Sequence, residues 1–225
     1  EGLMSEVSEK AIILKNKIFE PYQLAGFLSK KETKKISSGI IPAVKKQSFV
    51  EKMMLWVRGN LFIPDARKFW VNPSVKYLKK YIQENDIDTI VTSGPPHSLH
   101  LIGLKLKQEL GVKWFADFRD PWTTIGYHKA LKLSCYADKK HKALEHQVLN
   151  TADTIIVTSK TTKTEFQAIT NKPIEVITNG YDVENVPKQT LDEKFTMAHI
   201  GSFLSDRNPK ILWESLEELI YENEV

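Results

Sequence analysis

This sequence has little of several things, and each shortage excludes a class of protein. It holds one cysteine, Cys135, in 225 residues. No internal disulfide can form, and a cysteine-based zinc site is excluded. A reducing, cytoplasmic setting is the default expectation. No apolar run approaches the roughly 20 residues that span a bilayer, and the first ten residues are too polar for a secretory signal. Internal repeats and low-complexity tracts are absent, so a repeat architecture has no support. Excess charge is also scarce: the net charge is +4, and it is concentrated in one place. Six lysines (Lys30, Lys31, Lys34, Lys35, Lys45, Lys46) face only Glu32, which leaves the remainder of the chain near −1. A nucleic-acid binder would spread basic residues over a folded face, so no nucleic-acid partner is expected. The lysines lie in a Ser/Gly/Pro-containing stretch, about 29–47, that reads as a solvated mobile loop. Weak contact with an anionic membrane surface is the sharper alternative.

What is present is an ordinary globular composition, 41% hydrophobic and 27% charged with five Trp, in a chain long enough for a sizeable core. "KAIILKNKIF" begins like a strand, and "PYQLAGFLSK" has helical spacing. "SFVEKMMLWVRGN" repeats apolar residues at helical intervals up to Gly59. "NPSVKYLKKYIQEND" offers Asn72 as a cap, Pro73 at the first helical position, and a stripe of Val75, Leu78, Tyr81 and Ile82. From Asp88 onward short apolar strands alternate with helices. A strand at Asp88–Ser93 precedes a helix ending at Gly111. "VKWFADF" precedes a helix from about Lys129 to Asn150, "DTIIVTS" precedes "KTTKTEFQAIT", and "PIEVIT" runs into the turn "NGYD". This is the pattern of a parallel α/β sheet, Rossmann-like, with helices on both faces. Residues 1–182 are read as one domain whose first strands are missing, and 183–194 as a linker. Residues 195–225 are read as the first strand ("FTMAHIGSF") and helix, capped by Asn208 with Pro209 following, of a second domain. The chain is expected to be an excerpt of a longer protein.

In open parallel sheets ligands collect at the carboxyl ends of strands, near helix N-termini. Four stretches fall there: Ser93–Ser98, Asp117–Tyr127, Ser159–Thr162 and Asn179–Asp182. In the first, Gly94 permits close approach, Pro95-Pro96 stiffens the path, and helix amides near His97, Ser98 and Leu99 are expected to be free for an anion or sugar hydroxyls. His97 can hydrogen-bond or transfer a proton, or His97 or Ser98 can simply cap the helix. His100 is expected to face a neighbouring helix, and the two histidines lack a third ligand for a metal. In "ADFRDPW", Asp117, Arg119 and Asp120 crowd three charges that must pair among themselves or meet a ligand. Arg119 offers a planar fork for phosphate or carboxylate, and Trp122 either stacks on a sugar or lies buried under the loop. "TNGYD" asks for a left-handed backbone at Asn179 or Gly180. "GSFLSDRNP" places Gly201 and Ser202 after a strand and Arg207 before a helix, a pairing suited to a diphosphate.

"TSGPPHSLHLIGLKLK", "WFADFRDPWT", "VITNGYD" and "HIGSFLSDRNPK", in this order, resemble bacterial glycosyltransferases of the GT-B type, nearest to family 4 of polysaccharide and surface-glycan loci. "WVRGNLFIPDARKFWVNPSVKYL" resembles the segment that precedes the Gly-Pro-Pro strand, and the likeness runs from about Glu20 to the end. It implies two Rossmann-like domains across a cleft, the N-terminal one holding a glycan or lipid-linked acceptor and the C-terminal one a nucleotide-sugar donor. Transfer with retained configuration and no required metal or other cofactor is implied; peripheral placement at the inner membrane surface is the expectation that the Lys30–Lys46 stretch adds. His97, Asp117, Arg119 and Asp120 would act at the transferred sugar. Gly94, Ser98, Trp122, Asn179 and Gly180 would line the site, and Ser202 and Arg207 would touch the diphosphate. The chain departs from the family in lacking an initial glycine-rich loop and the late acidic pair, and it carries Arg207 where many relatives have a lysine. As given it is expected to be inactive. A sugar-nucleotide epimerase of the same architecture, or a non-catalytic binding or scaffold domain, are the other functions compatible with these residues.

Overall fold

The computed structural model describes residues 7–18, 49–126, 128, 131–180, 192–194, 196–200 and 208–222. The lysine-rich stretch at 29–47, most of the expected linker and the two diphosphate candidates, Ser202 and Arg207, lie outside the described residues. The elements are α1 (Phe49–Leu61), a 3-10 turn (Lys68–Trp70), α2 (Val71–Glu84), β1 (Thr89–Gly94) and α3 (Ser98–Leu110). They continue with β2 (Lys113–Phe118), α4 (Cys135–Thr151), β3 (Thr154–Val157), α5 (Lys160–Gln167), β4 (Ile174–Val176) and α6 (Lys210–Tyr221). The four strands pair in parallel in the order β1-β2-β3-β4. This is the Rossmann-like α/β arrangement expected from the alternating pattern.

Strand register explains where the core sits. Ile90, Thr92 and Gly94 share a face with Trp114, Ala116 and Phe118, with Ile155 and Val157, and with Ile174 and Val176. Leu104 of α3, Val148 and Leu149 of α4, and Phe166 of α5 pack on that face in one buried cluster. A sheet laid down in sequential order by right-handed crossovers must place its connecting helices on the same side. Accordingly, the described helices that touch the sheet all meet the Trp114 face. Val91, on the other face, is 63% exposed. The helix layer is therefore one-sided among the described residues. A second cluster joins α2 to α3 through Val71, Val75, Ile82, Ile102 and Leu106.

Two features set how α3 lies. Gly103 sits where a Cβ would come within 2.5 Å of the Trp114 ring and 2.7 Å of Thr92. Only a missing side chain lets the helix descend this far onto the sheet. At its end Gly111 takes a left-handed φ of 72° and its amide returns to Lys107, the helix stop its sequence announced.

Several boundaries differ from the expected ones for local reasons. Val71, not Asn72, begins α2, because the preceding 3-10 turn already delivers Trp70 in helical geometry. Asn72 instead accepts a hydrogen bond from Lys105 at 2.6 Å. The fourth helix begins at Cys135 rather than near Lys129, because Lys132 adopts a left-handed φ of 49° and Ser134 caps the Ala137 amide. Asn208 accepts from the Trp213 indole at 2.6 Å instead of capping α6. Among the described residues, 10–18 and 196–200 form no strand.

Candidate functional site

The carboxyl ends of all four strands are tied together. Ser93 faces Asp117 and Gly94 faces Phe118 in the β1–β2 register. The Ser93 hydroxyl donates to the Asp117 carboxylate at 2.6 Å, and the Arg119 amide donates to the Gly94 carbonyl at 2.9 Å. Thr158, just past β3, donates its hydroxyl to the Arg119 carbonyl at 3.2 Å. Past β4, the Asn179 side-chain oxygen accepts from the Arg119 guanidinium. The other arm of that guanidinium lies 3.9 Å from Asp117. Arg119 is thus the residue on which four strand ends converge, and its side chain remains 47% exposed, whereas that of Asp117 is 15% exposed. Asp120 follows on the exposed surface. Arg119 pairs with Asp117 and with Asn179 and still presents a cation to solvent. Neither Asn179 nor Gly180 takes the left-handed backbone expected of "TNGYD"; Asp86, Lys132 and Gly111 do so among the described residues.

The loop from Gly94 to Ser98 is built differently from its sequence reading. Gly94–Pro95 and Pro95–Pro96 are both cis. The close approach at Gly94 is made by the protein itself: a Cβ there would lie 2.7 Å from His100 Nε2 and 3.2 Å from the Pro96 carbonyl. The N-terminus of α3 is also occupied from within. Asp65, in the segment before α2, accepts from the Ser98 amide and the Ser98 hydroxyl, each at 2.8 Å, and from the Arg67 amide at 2.8 Å. The Leu99 amide turns back to Pro96 and the His100 amide to His97. A helix start favours an anion, and here that anion is a carboxylate of the same chain. Ser98 is fully buried beneath it.

His97 lies under the rim, and Trp122 takes the buried one of its two alternatives. His97 is 4% exposed and Trp122 1% exposed, and their rings stack at 4.7 Å with planes 1° apart. His100 does not face a neighbouring helix. Its ring stacks on Phe118 at 4.1 Å and Nδ1 lies 2.9 Å from the Thr92 hydroxyl. The Thr92 hydroxyl also accepts the Trp114 indole proton, so one buried oxygen ties both rings to β1. His141 of α4 accepts the Trp122 indole at Nδ1, 3.1 Å away, and directs Nε2 to the Gly59 carbonyl. Burial drives these imidazoles neutral: His100 falls to about 3. His141 falls to about 4 through burial, then its neighbour His128. His97 lies well below the ordinary value through burial and three nearby histidines. Glu145, one turn after His141, accepts from the Thr123 amide at 3.0 Å and the Thr123 hydroxyl at 2.5 Å. Burial raises its carboxyl, against the pull of those donors.

Asp65, Thr92, Thr158, His141 and Glu145 were not singled out by sequence reasoning. A signal for two of them existed. His141 and Glu145 occupy the face of α4 that also carries Ala137, Val148 and Leu149, and polar residues at core positions of an amphipathic helix require partners. Asp65 and Thr158 left no such mark, because their partners are 33 and 39 residues away in sequence.

Chemically, the rim offers a guanidinium fork flanked by a carboxylate, an amide and hydroxyls, which suits recognition of an oxygen-rich ligand. Among the described residues no group of three or more His, Cys, Asp or Glu could hold a metal ion, and no helix is long and apolar enough to cross a membrane. No curated protein and no solved structure matches the sequence. The model of Glycosyltransferase Family 4 matches residues 41–185, from the stretch ahead of α1 through every strand of the sheet and Asn179. This span is well over half of the 225 residues, and the chain belongs to Glycosyltransferase Family 4.

Proposed function

We propose that this chain is the acceptor-side domain of a GT-B type transferase that moves a sugar from a nucleotide-sugar to a glycan or lipid-linked acceptor in polysaccharide assembly. The observation that carries the reading is the convergence of four strand ends on one residue, Arg119, whose backbone is held by Gly94 and Thr158 and whose exposed guanidinium is flanked by Asp117 and Asn179. Charge develops on sugar and diphosphate oxygens in glycosyl transfer, and fixed donors aimed at that charge lower the barrier. In this reading Arg119 meets ligand oxygens, Asp117 and Asn179 fix its fork, and exposed Asp120 accepts from acceptor hydroxyls. His97 and Trp122 support the rim from beneath, and Ser98 with Asp65 anchors the Gly-Pro-Pro loop. Ser202 and Arg207 complete the diphosphate side. Retention of configuration, independence from metal, a cytoplasmic location with weak membrane contact, and inactivity of this chain alone belong to the same proposal.

The test uses the full-length protein with a panel of nucleotide-sugars and measures slow donor hydrolysis. Release of nucleotide is expected, and Arg119→Ala should lower turnover more than about tenfold, the cost of losing one charge-stabilising donor, while the far-ultraviolet circular dichroism stays unchanged. Interconversion of sugars without nucleotide release would show an epimerase instead. Binding of a protein partner with neither reaction would show a scaffold. Unchanged turnover in Arg119→Ala would reduce that residue to a structural ion pair.

A further inference from the structure

The segment leaving β2 has no helix or strand from Arg119 to Thr124, yet three successive residues in it donate to side chains of the helices below. Trp122 gives its indole proton to His141. Thr123 gives both its amide and its hydroxyl to Glu145. Thr124 gives its hydroxyl to Glu165 of α5 at 2.6 Å. At the other end, Arg119 is tied through its amide to Gly94 and through its carbonyl to Thr158. Asp120 and Pro121 are all that lies between the two anchorages.

Glu145 is the notable member of this set. It is 2% exposed on a helix face shared with Val148 and Leu149. A carboxylate in such surroundings is costly unless its oxygens are satisfied, and an apolar residue of similar size would commonly fill the space at less expense to stability. The carboxylate adds two acceptor oxygens that grip the amide and the hydroxyl of one residue together. That grip fixes the height of the loop and the rotation of Thr123 at once. Arg119, four residues earlier on a segment tied at both ends, cannot shift without breaking one anchorage.

We infer that Glu145 is a positioning residue for the rim, holding Arg119 and Asp120 in place through Thr123, with His141 as a second arm through Trp122. The inference rests on the reading of Arg119 as a ligand-facing group. Glu145 itself touches no ligand, because Trp122 and Thr123 lie between it and the surface. Small displacements of a positioned group reduce rate steeply even when the displaced group remains present.

The experiment is the nucleotide-release assay on full-length protein, with wild type compared with Glu145→Ala, Glu145→Gln and Thr123→Ala. Turnover is expressed per folded molecule, alongside KM for the donor and the urea unfolding midpoint. Glu145→Ala is expected to lose about tenfold or more in kcat with little change in donor KM. Glu145→Gln, whose amide oxygen still accepts from Thr123, should recover most of the loss. Thr123→Ala should lose part of kcat by itself, and combined with Glu145→Ala it should add almost nothing, since both remove one tie. If Glu145→Ala lowers only the unfolding midpoint and keeps wild-type kcat per folded molecule, Glu145 is a packing residue and the inference fails. Should Glu145→Ala not fold, wild-type kcat in Thr123→Ala overturns it equally. Wild type that releases no nucleotide sinks the functional reading itself, and the inference with it. An active wild type with fully active variants sinks the inference alone.

Discussion

Lowering the pH should unfold this domain earlier than its surface carboxylates would suggest, because the support under the rim consists of neutral imidazoles. The perturbation is acidification from pH 7 to pH 5. His100 and His141 are buried, with folded values of about 3 and about 4 against 6.5 for the free side chain. In the unfolded chain both protonate below about pH 6.5, whereas in the folded chain neither does until well below pH 5. The unfolded state therefore binds more protons across this window, and stability falls as pH falls. Each imidazole contributes about 2 kcal/mol of loss between pH 7 and pH 5, a slope of roughly 1 kcal/mol per pH unit. Together they remove about 4 kcal/mol, a large part of the 5–15 kcal/mol typical of a domain. His97, lowered by burial and its histidine neighbours, acts in the same direction. Glu145 opposes them: burial raises its carboxyl, so its contribution is fully present below its unfolded value and is lost as pH rises through the folded one. Burial also presses Asp153 upward, but Lys107 and the Trp114 amide bring it below its ordinary 3.8, so its loss falls at more acid pH than this window.

The assay is urea unfolding followed by tryptophan fluorescence at pH 7, 6, 5.5 and 5. His141→Asn, whose side-chain oxygen replaces Nδ1 as acceptor for Trp122, should flatten the pH slope by about one imidazole's share, roughly 1 kcal/mol per pH unit. His100→Asn should do the same. A stability that stays level from pH 7 to pH 5, or a slope that neither substitution alters, would refute the claim that these rings are held neutral by burial.

Removing the internal anion at the start of α3 should also register. Asp65→Ala deletes three hydrogen bonds, two to Ser98 and one to Arg67, and is expected to cost about 1–2 kcal/mol as a lost cap, read as a lower urea midpoint; an unchanged midpoint would mean solvent replaces the carboxylate freely. Gly103→Ala drives a methyl group to within 2.5 Å of Trp114 and should cost about 1–3 kcal/mol from overpacking. A neutral or stabilising result would show that α3 can lift from the sheet without penalty.

Much of the fold was legible because it rests on local periodicity. The apolar runs "TIV", "WFADF" and "TIIV", each followed by a helical stretch, determine a parallel sheet whatever the details of packing. The position of the candidate site followed from the same alternation, since residues that follow parallel strands must gather at one edge. Arg119 and Asn179 could be named for that reason, although they stand 60 residues apart in the hydrogen bond that joins them. The boundaries that shifted did so through single residues, such as the left-handed Lys132 ahead of α4, whose effect no periodicity reveals.

By itself, then, the sequence determined which residues between Asp88 and Val176 become strands and which loops share the rim, because hydrophobic spacing and chain direction are properties of neighbours along the chain. The strands expected at 10–18 and 196–200 had no neighbouring strand to pair with among the described residues. Only the tertiary structure decided which of those loop residues face outward. His97, Ser98 and Trp122 were drawn beneath the rim while Arg119 stayed above it. Asp65 took the helix start that looked open to a ligand, and Glu145 took the loop. Those outcomes depend on partners from distant segments competing for the same buried donors, and a buried donor must be satisfied by whichever acceptor the packed chain brings within reach.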